Sequence, residues 1–109
     1  MTFSMSFSIS EVILLPIPFT DLTNRKVRPA IVIVFGSFGD DLFVVPISSV
    51  LQNVDLPVID WREAGLNVSC GLKAQLATVE SRLVVKKIGV LSFREQVACK
   101  NVLRTWLQL

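Results

Sequence analysis

The sequence predicts a mainly β domain, a small and strongly bent antiparallel sheet or partial barrel closed by one C-terminal helix. Short apolar runs rich in β-branched residues, turn residues between those runs, and a change to helical periodicity after residue 91 predict this class. A chain of 109 residues has room for one domain, which we expect to span 1–109. Residues 1–8, where Phe and Ser alternate, are expected to form a loosely ordered extension.

The first strand is predicted over residues 11–15. Pro16 and Pro18 follow it, and proline lacks the amide donor that a strand ladder needs. Residues 20–27 are polar and charged, which predicts a loop.

A hairpin is predicted next. The apolar run 30–35 has the length and composition of a buried strand, and the segment 36–41 contains two Gly and two Asp. Residues 42–47 form a second apolar run, so the two runs are expected to pair across a turn.

Three further strands are predicted over residues 54–59, 68–78 and 83–90. Pro57 indicates an edge position for the first of them. The intervening residues 60–67 contain Gly65 and are expected to form a loop.

The C-terminal segment predicts a helix that begins at Ser92. Ser92 and Glu95 have the spacing of a capping box, in which each side chain bonds to the other residue's amide. An apolar stripe at helical spacing is expected to dock on the sheet and consists of Cys99, Val102, Leu103 and Trp106.

The apolar content, 51% of the residues, exceeds what one small core can bury. We therefore expect a homodimer. The longest apolar stretch, residues 12–19, is broken by two prolines and is too short to span a bilayer. Residues 1–10 lack Lys and Arg, so no export signal is recognised and the cytoplasm is the expected compartment.

The chemistry that the sequence permits is limited by its lack of histidine. Cys70 and Cys99 alone cannot form a zinc site, so they are expected to be buried reduced thiols, and neither a metal nor another cofactor is predicted. The net charge of +2 is small, but basic residues cluster at 25–28 and 82–87. Such clusters are usually solvated surface and matter only if the fold places them beside a site.

Three blocks of sequence resemble the PemK/MazF family. The first is EVILLPIPFTDLTNRKVRPA at 11–30, with its Pro-x-Pro-Phe-Thr-Asp and Arg-Pro-Ala segments. The second is DDLFVVPISS at 40–49, and the third is KAQLAT at 73–78 followed by RLVVKKIGVL at 82–91. In their order and spacing these blocks cover most of the chain.

The resemblance implies an SH3-like barrel, a homodimer with a cleft near the subunit boundary, and a cognate antitoxin whose flexible tail occupies that cleft. It also implies the toxin of a type II toxin–antitoxin system. Such toxins cut single-stranded mRNA through attack of the ribose 2′-hydroxyl on the adjacent phosphorus, which gives a 2′,3′-cyclic phosphate. The absence of histidine excludes a two-histidine mechanism and suits catalysis by a cation and hydroxyl groups without a metal.

Arg28 matches the family's catalytic Arg, and its guanidinium could grip two phosphate oxygens and stabilise the transition state. Ser48 stands where the family commonly has a catalytic Thr and could donate to a phosphate oxygen. If the alignment of this sequence with the family motif is shifted by one residue, Ser49 takes that role.

The third block departs from the family pattern. Leu72 and Ala74 occupy positions that are often polar in relatives, although Gln75 is retained as a secondary candidate. Glu11 or Asp21 could supply the base. The candidate RNA contacts are Thr20, Arg25, Lys26 and Lys73.

The sequence leaves three other functions open. The chain could be a family member with weakened cleavage, or a non-catalytic toxin of the same fold that poisons DNA gyrase by binding. A protein-interaction module of SH3 type is a third alternative, although the sequence has no Tyr for an aromatic peptide groove.

Overall fold

The computed structural model describes residues 7–16, 27–35 and 41–109. Seven strands and one helix are found in these ranges. They are β1 Glu11–Pro16, β2 Val27–Phe35, β3 Asp41–Ser48, β4 Leu56–Val58, β5 Cys70–Leu72, β6 Ala77–Glu80, β7 Lys86–Val90 and α1 Phe93–Leu107. The strands form one antiparallel sheet in the order β4-β5-β3-β2-β1-β7, with β6 also paired to β3. Register shifts in the β1–β7 and β2–β3 ladders are of the kind that bend a sheet.

The predicted hairpin is confirmed, since β2 and β3 pair antiparallel. β2 begins at Val27, three residues before the predicted start, and so includes Arg28. Pro29 is tolerated because the β2–β3 ladder starts at Ala30, opposite Pro46, and Pro29 pairs only with Leu14 of β1. Most of the turn predicted over 36–41 and of the loop predicted over 20–27 lies outside the described residues, and their last residues, Asp41 and Val27, are the first residues of β3 and β2.

The single strand predicted over 68–78 is wrong, because the chain forms two short strands, β5 and β6. Between them the Gln75 amide donates to the Lys73 carbonyl at 2.7 Å, a bond that closes a tight three-residue turn. The Ala74 amide donates to the Asp55 carboxylate at 2.7 Å. The backbone therefore leaves the ladder for four residues and then rejoins β3 further along.

The strand predicted over 83–90 is confirmed only from Lys86, because residues Ser81–Leu83 form a 3₁₀ turn. A second 3₁₀ turn, Leu51–Asn53, precedes β4. β4 lies at one edge of the sheet, as Pro57 predicts.

Both faces of the sheet carry buried apolar clusters. The first cluster lies under α1 and contains Val12, Ile31, Val45 and Leu72, with Leu103 and Trp106 of the helix packed against it. The second is built on Ile13, Leu15, Ala30, Val32 and Val44, and it includes Phe7 from just before β1. Burying one such aliphatic side chain stabilises the fold by roughly 1.5–3 kcal/mol.

Helix α1 begins as predicted, with the Ser92 hydroxyl accepting from the Glu95 amide. The other bond predicted for the capping box, from the Ser92 amide to the Glu95 side chain, is wrong. The Glu95 carboxylate accepts instead from the Asp60 amide at 2.7 Å. The helix ends at Leu107 and is capped by Gln108, which has a left-handed φ of 58°. None of the helices in the described ranges is long and apolar enough to cross a membrane.

Candidate functional site: a cationic cleft

A cleft of about 570 Å³ opens where β1, β2, β3 and β7 meet the segment 65–70. Its apolar floor includes Leu14, Ile47, Leu66 and Ile88. Its polar lining consists of Arg28, Ser48, Ser49, Asn67, Lys86 and Lys87. Two residues predicted as catalytic from the sequence, Arg28 and Ser48, thus line one concave site.

The pairing of β2 with β3 brings the ends that carry Arg28 and Ser48 to the same side of the sheet. The ladder begins with Ala30 of β2 opposite Pro46 of β3, and Arg28 and Ser48 each lie two residues beyond that pair. The Ser48 hydroxyl oxygen accepts from the Val50 amide at 3.1 Å. This bond orients the oxygen and does not use the hydroxyl proton, which can be donated into the cleft.

Two lysines reach the cleft from β7. This strand pairs with β1, with Lys86 opposite Leu14 and Lys87 opposite Ile13. The Lys87 ammonium lies 3.5 Å from the Glu11 carboxylate and 5.1 Å from the centroid of the Phe7 ring. The sequence shows this basic run, but only the pairing of β7 with β1 places it in the same cleft lining as Arg28.

The lining has an excess of positive charge. Of the described residues that line the cleft, Arg28, Lys86 and Lys87 are basic and none is acidic. A concave surface with unbalanced positive charge attracts anions and above all phosphates, because cations concentrate the local potential there.

Segment 60–70, whose second half lines the cleft, forms the wall of the cleft and depends on Gly65. Its φ is +85°, and a Cβ at this position would lie 1.9 Å from the carbonyl oxygen of Ile88 in β7. Gly89 has the reciprocal constraint, since its Cβ would lie 2.2 Å from the Ala64 carbonyl oxygen. The wall therefore packs directly on the β7 backbone, and only glycine allows this approach.

The start of the wall is fastened to α1 through Asp60. Its carboxylate accepts from the Arg94 guanidinium and from the Ser92 hydroxyl, each at 2.6 Å. These hydrogen bonds, Arg94 first and Ser92 second, lower the pKa of Asp60 to about 2. The same contact raises the pKa of Arg94 further above its usual value.

Both cysteines are free and buried, as predicted. Cys70 lines the cleft, but its thiol donates to the Val68 carbonyl at 2.9 Å and burial raises its pKa. Burial, and secondarily the nearby Glu95, raises the pKa of Cys99 to about 11. Neither thiol is therefore a ready nucleophile. The described part of the chain contains no group of three or more Cys, Asp or Glu residues placed to hold a metal ion.

Comparison with solved structures identifies the architecture. The chain is similar to the Mycobacterium tuberculosis toxin MazF-mt6, with a TM-score of 0.72 over 91% of this chain and 97% of that one. The fold is MazF-like. The two sequences are only 16% identical, so the similarity is one of fold. No protein-family model and no curated protein matches the sequence.

The remaining candidate residues differ in whether they line the cleft. Ser49 lines it beside Ser48. Glu11 does not line it and touches it through Lys87. Lys73 and Gln75 lie in the break between β5 and β6, away from the lining, where the Lys73 amide donates to the Pro46 carbonyl. Four predicted site residues fall in a segment that the structure does not describe. They are the possible base Asp21 and the possible RNA contacts Thr20, Arg25 and Lys26.

Proposed function

We propose that this chain is the toxin of a type II toxin–antitoxin system and a metal-independent endoribonuclease that cleaves single-stranded mRNA. The observation that carries the proposal is the cleft lined by Arg28, Ser48 and two lysines, with no acid among the described residues that line it. The MazF-like fold agrees with it, since the similar solved protein is named a toxin. A positive cleft suits a nucleic-acid backbone, whose phosphates are negatively charged.

The proposed reaction needs no nucleophile from the protein. The ribose 2′-hydroxyl gives its proton to a base and its oxygen attacks the adjacent phosphorus, the bond from phosphorus to the 5′-oxygen breaks, and that oxygen takes up a proton from water. The products are a 2′,3′-cyclic phosphate and a free 5′-hydroxyl. Arg28 holds two nonbridging oxygens as negative charge develops on them. Ser48 donates its free hydroxyl proton to one of these oxygens.

The base that removes the 2′-hydroxyl proton has two candidates. Glu11 is the candidate that the structure describes, and its carboxylate contacts Lys87, a lining residue, although Glu11 itself does not line the cleft. Asp21 is the other and belongs to a part of the chain that the structure does not describe. Arg28 is unsuited to this step because an arginine stays protonated at every physiological pH.

The proposed partners follow from charge and exposed apolar surface. A cationic cleft suits the acidic tail of a cognate antitoxin as well as RNA. Val27, Val50 and Val68 are each about half exposed, and two of them line the cleft. A second copy of the chain covering such side chains would give the homodimer, and we place this toxin in the cytoplasm, where its mRNA substrate is found.

Purified protein free of antitoxin, incubated with a sequence-diverse single-stranded RNA pool with and without EDTA, tests the proposal. We expect cleavage that persists in EDTA, leaves cyclic-phosphate ends and collapses in Arg28→Ala. Arg104→Ala is the matched control, because Arg104 is exposed on α1 away from the cleft. Growth arrest that is independent of Arg28, without RNA cleavage, would overturn the ribonuclease assignment in favour of a toxin that acts by binding.

A further inference from the structure

The face of α1 that points away from the sheet carries a regular row of exposed side chains. Cys99, Leu103 and Trp106 pack on the first apolar cluster from the opposite face. The exposed residues recur at alternating spacings of four and three, and they are the outer stripe of α1: Phe93, Val97, Lys100, Arg104 and Leu107. Phe93 is 80% exposed, which is unusual for a large apolar side chain. Alternating spacings of four and three are those of the seam that one helix presents to another in a coiled coil.

The charges on the outer stripe are all positive. Lys100 and Arg104 are exposed, and neither forms a salt bridge with a residue in the ranges that the structure describes. The only acid in α1 is Glu95, which is buried and accepts from the Asp60 amide. The stripe therefore sets two cations without acidic neighbours on the helix between apolar side chains at its two ends.

We infer that the outer stripe is a docking surface for an acidic amphipathic helix of a partner protein. Apolar residues of that helix cover the two ends of the stripe, and carboxylates between them pair with Lys100 and Arg104. No residue of α1 is among the residues that line the cleft. The docking surface is thus separate from the cleft, and the inference does not depend on RNA cleavage.

The charge pattern favours an acidic helix over a second copy of the chain. With two stripes antiparallel and in register, Lys100 would face its own copy and Arg104 would face Val97, which leaves four cations close together. With the stripes parallel, each cation would face its own copy. Like charges brought together in this way oppose binding, and the one acid of α1 is buried on another face.

The same pattern favours a protein helix over RNA. Phosphates would neutralise Lys100 and Arg104, but an RNA backbone offers no apolar side chains to Val97 and Leu107, each about half exposed. An amphipathic helix offers both kinds of group at the spacing that the stripe has.

A set of labelled helical peptides tests the surface on the full-length protein. The peptides are hydrocarbon-stapled, because a free helix as short as α1 is marginal in water. One peptide has Leu opposite the apolar ends of the stripe and Glu opposite Lys100 and Arg104, and a second has the reverse order, so that both helix orientations are covered. In two further peptides Lys replaces Glu. By fluorescence anisotropy we expect one Glu peptide to bind, with a Kd at least about tenfold below that of its Lys counterpart, because like charges then meet.

Variants of the stripe should change this binding in predictable ways. Phe93→Ser removes an aromatic anchor and should raise the Kd of the Glu peptide by about thirtyfold. The double variant Lys100→Glu with Arg104→Glu should reverse the preference, so that the Lys peptide binds more tightly than the Glu peptide. Leu51→Ser is the matched control, because Leu51 is also an exposed apolar residue but belongs to the 3₁₀ turn before β4. All these side chains are exposed, so the variants should keep the melting temperature and the RNA cleavage of the wild type.

Three outcomes would overturn the inference. The first is peptide binding that ignores the sign of the peptide charge or survives Phe93→Ser. The second is a wild-type dimer that light scattering shows to be lost in Phe93→Ser, since a second copy would then cover the stripe. The third is an RNA affinity that falls in the double variant while no peptide binds. Cleavage through Arg28 is measured separately, so the proposed function and this inference can fail independently.

Discussion

The two charged regions of this molecule differ in how their charges are matched. At the start of α1, Asp60, Ser92, Arg94 and Glu95 satisfy one another or a backbone amide. In the cleft, Arg28, Lys86 and Lys87 line one surface, none of the described lining residues is acidic, and Lys87 contacts the Glu11 carboxylate outside the lining. The comparison teaches that the charges at the start of α1 fasten a wall of the cleft, whereas those of the lining leave it with an excess of positive charge.

Exchanging the two arginines for alanine should give opposite results and the largest effect. Arg28→Ala removes transition-state charge stabilisation, so kcat should fall by about 10²–10³-fold with little change in melting temperature. Arg94→Ala breaks the Asp60 contact, so the melting temperature should fall while cleavage is largely kept. RNA cleavage assays and thermal unfolding of both variants provide the measurement. A loss of cleavage in Arg94→Ala as large as in Arg28→Ala would break the comparison.

Gly65→Ala should be the most destabilising change in the wall. The added Cβ would meet the Ile88 carbonyl oxygen at 1.9 Å, and the residue would have to keep its positive φ. We expect the free energy of unfolding to fall by roughly 2–4 kcal/mol, from left-handed strain and overpacking together. Urea denaturation measures it, with Ser69→Ala, an exposed change in the same region, as control. A loss below that of the control would show that the wall does not pack on β7 as described.

Sequence patterns predict elements better than they predict the site. The hairpin and the helix are confirmed because their apolar periodicity and end signals are strong and local. The continuous strand over 68–78 is wrong because the turn that breaks it depends on Asp55, nineteen residues from Ala74, and no local pattern contains that contact.

The candidate site was predictable only in part, for the same reason. Arg28 and Ser48 can be proposed from motifs, and the structure places both in the lining of one cleft. Lys86 and Lys87 look like ordinary surface cations until β7 is known to pair with β1. Gly65 is visible as a loop glycine, but its contact with Ile88 depends on tertiary packing.

Asp60→Asn should destabilise the protein in a way that depends on pH. The folded pKa of Asp60, about 2, lies below its usual value of 3.8, so the carboxylate favours folding above pH 3.8 and loses that effect as the pH falls toward 2. The gap in melting temperature between wild type and variant should therefore be full at pH 5 and close near pH 2. Glu63→Gln, an exposed carboxylate change in the same wall, is the control. A gap that stays constant with pH would mean that the Arg94 contact does not select the ionised form.

The smallest effect is expected for Ser48→Thr. The variant keeps the hydroxyl, and the extra methyl restricts rotation about χ1 at a position next to a strand end, where β-branched residues fit well. We therefore expect kcat to stay within about threefold of the wild type, whereas Ser48→Ala should lose about tenfold, the value of one hydrogen bond to a charged group. Ser49→Ala serves as the register control in the same single-turnover cleavage assay. If it loses more activity than Ser48→Ala, the hydroxyl that serves the phosphate is that of Ser49, the lining residue that follows the end of β3.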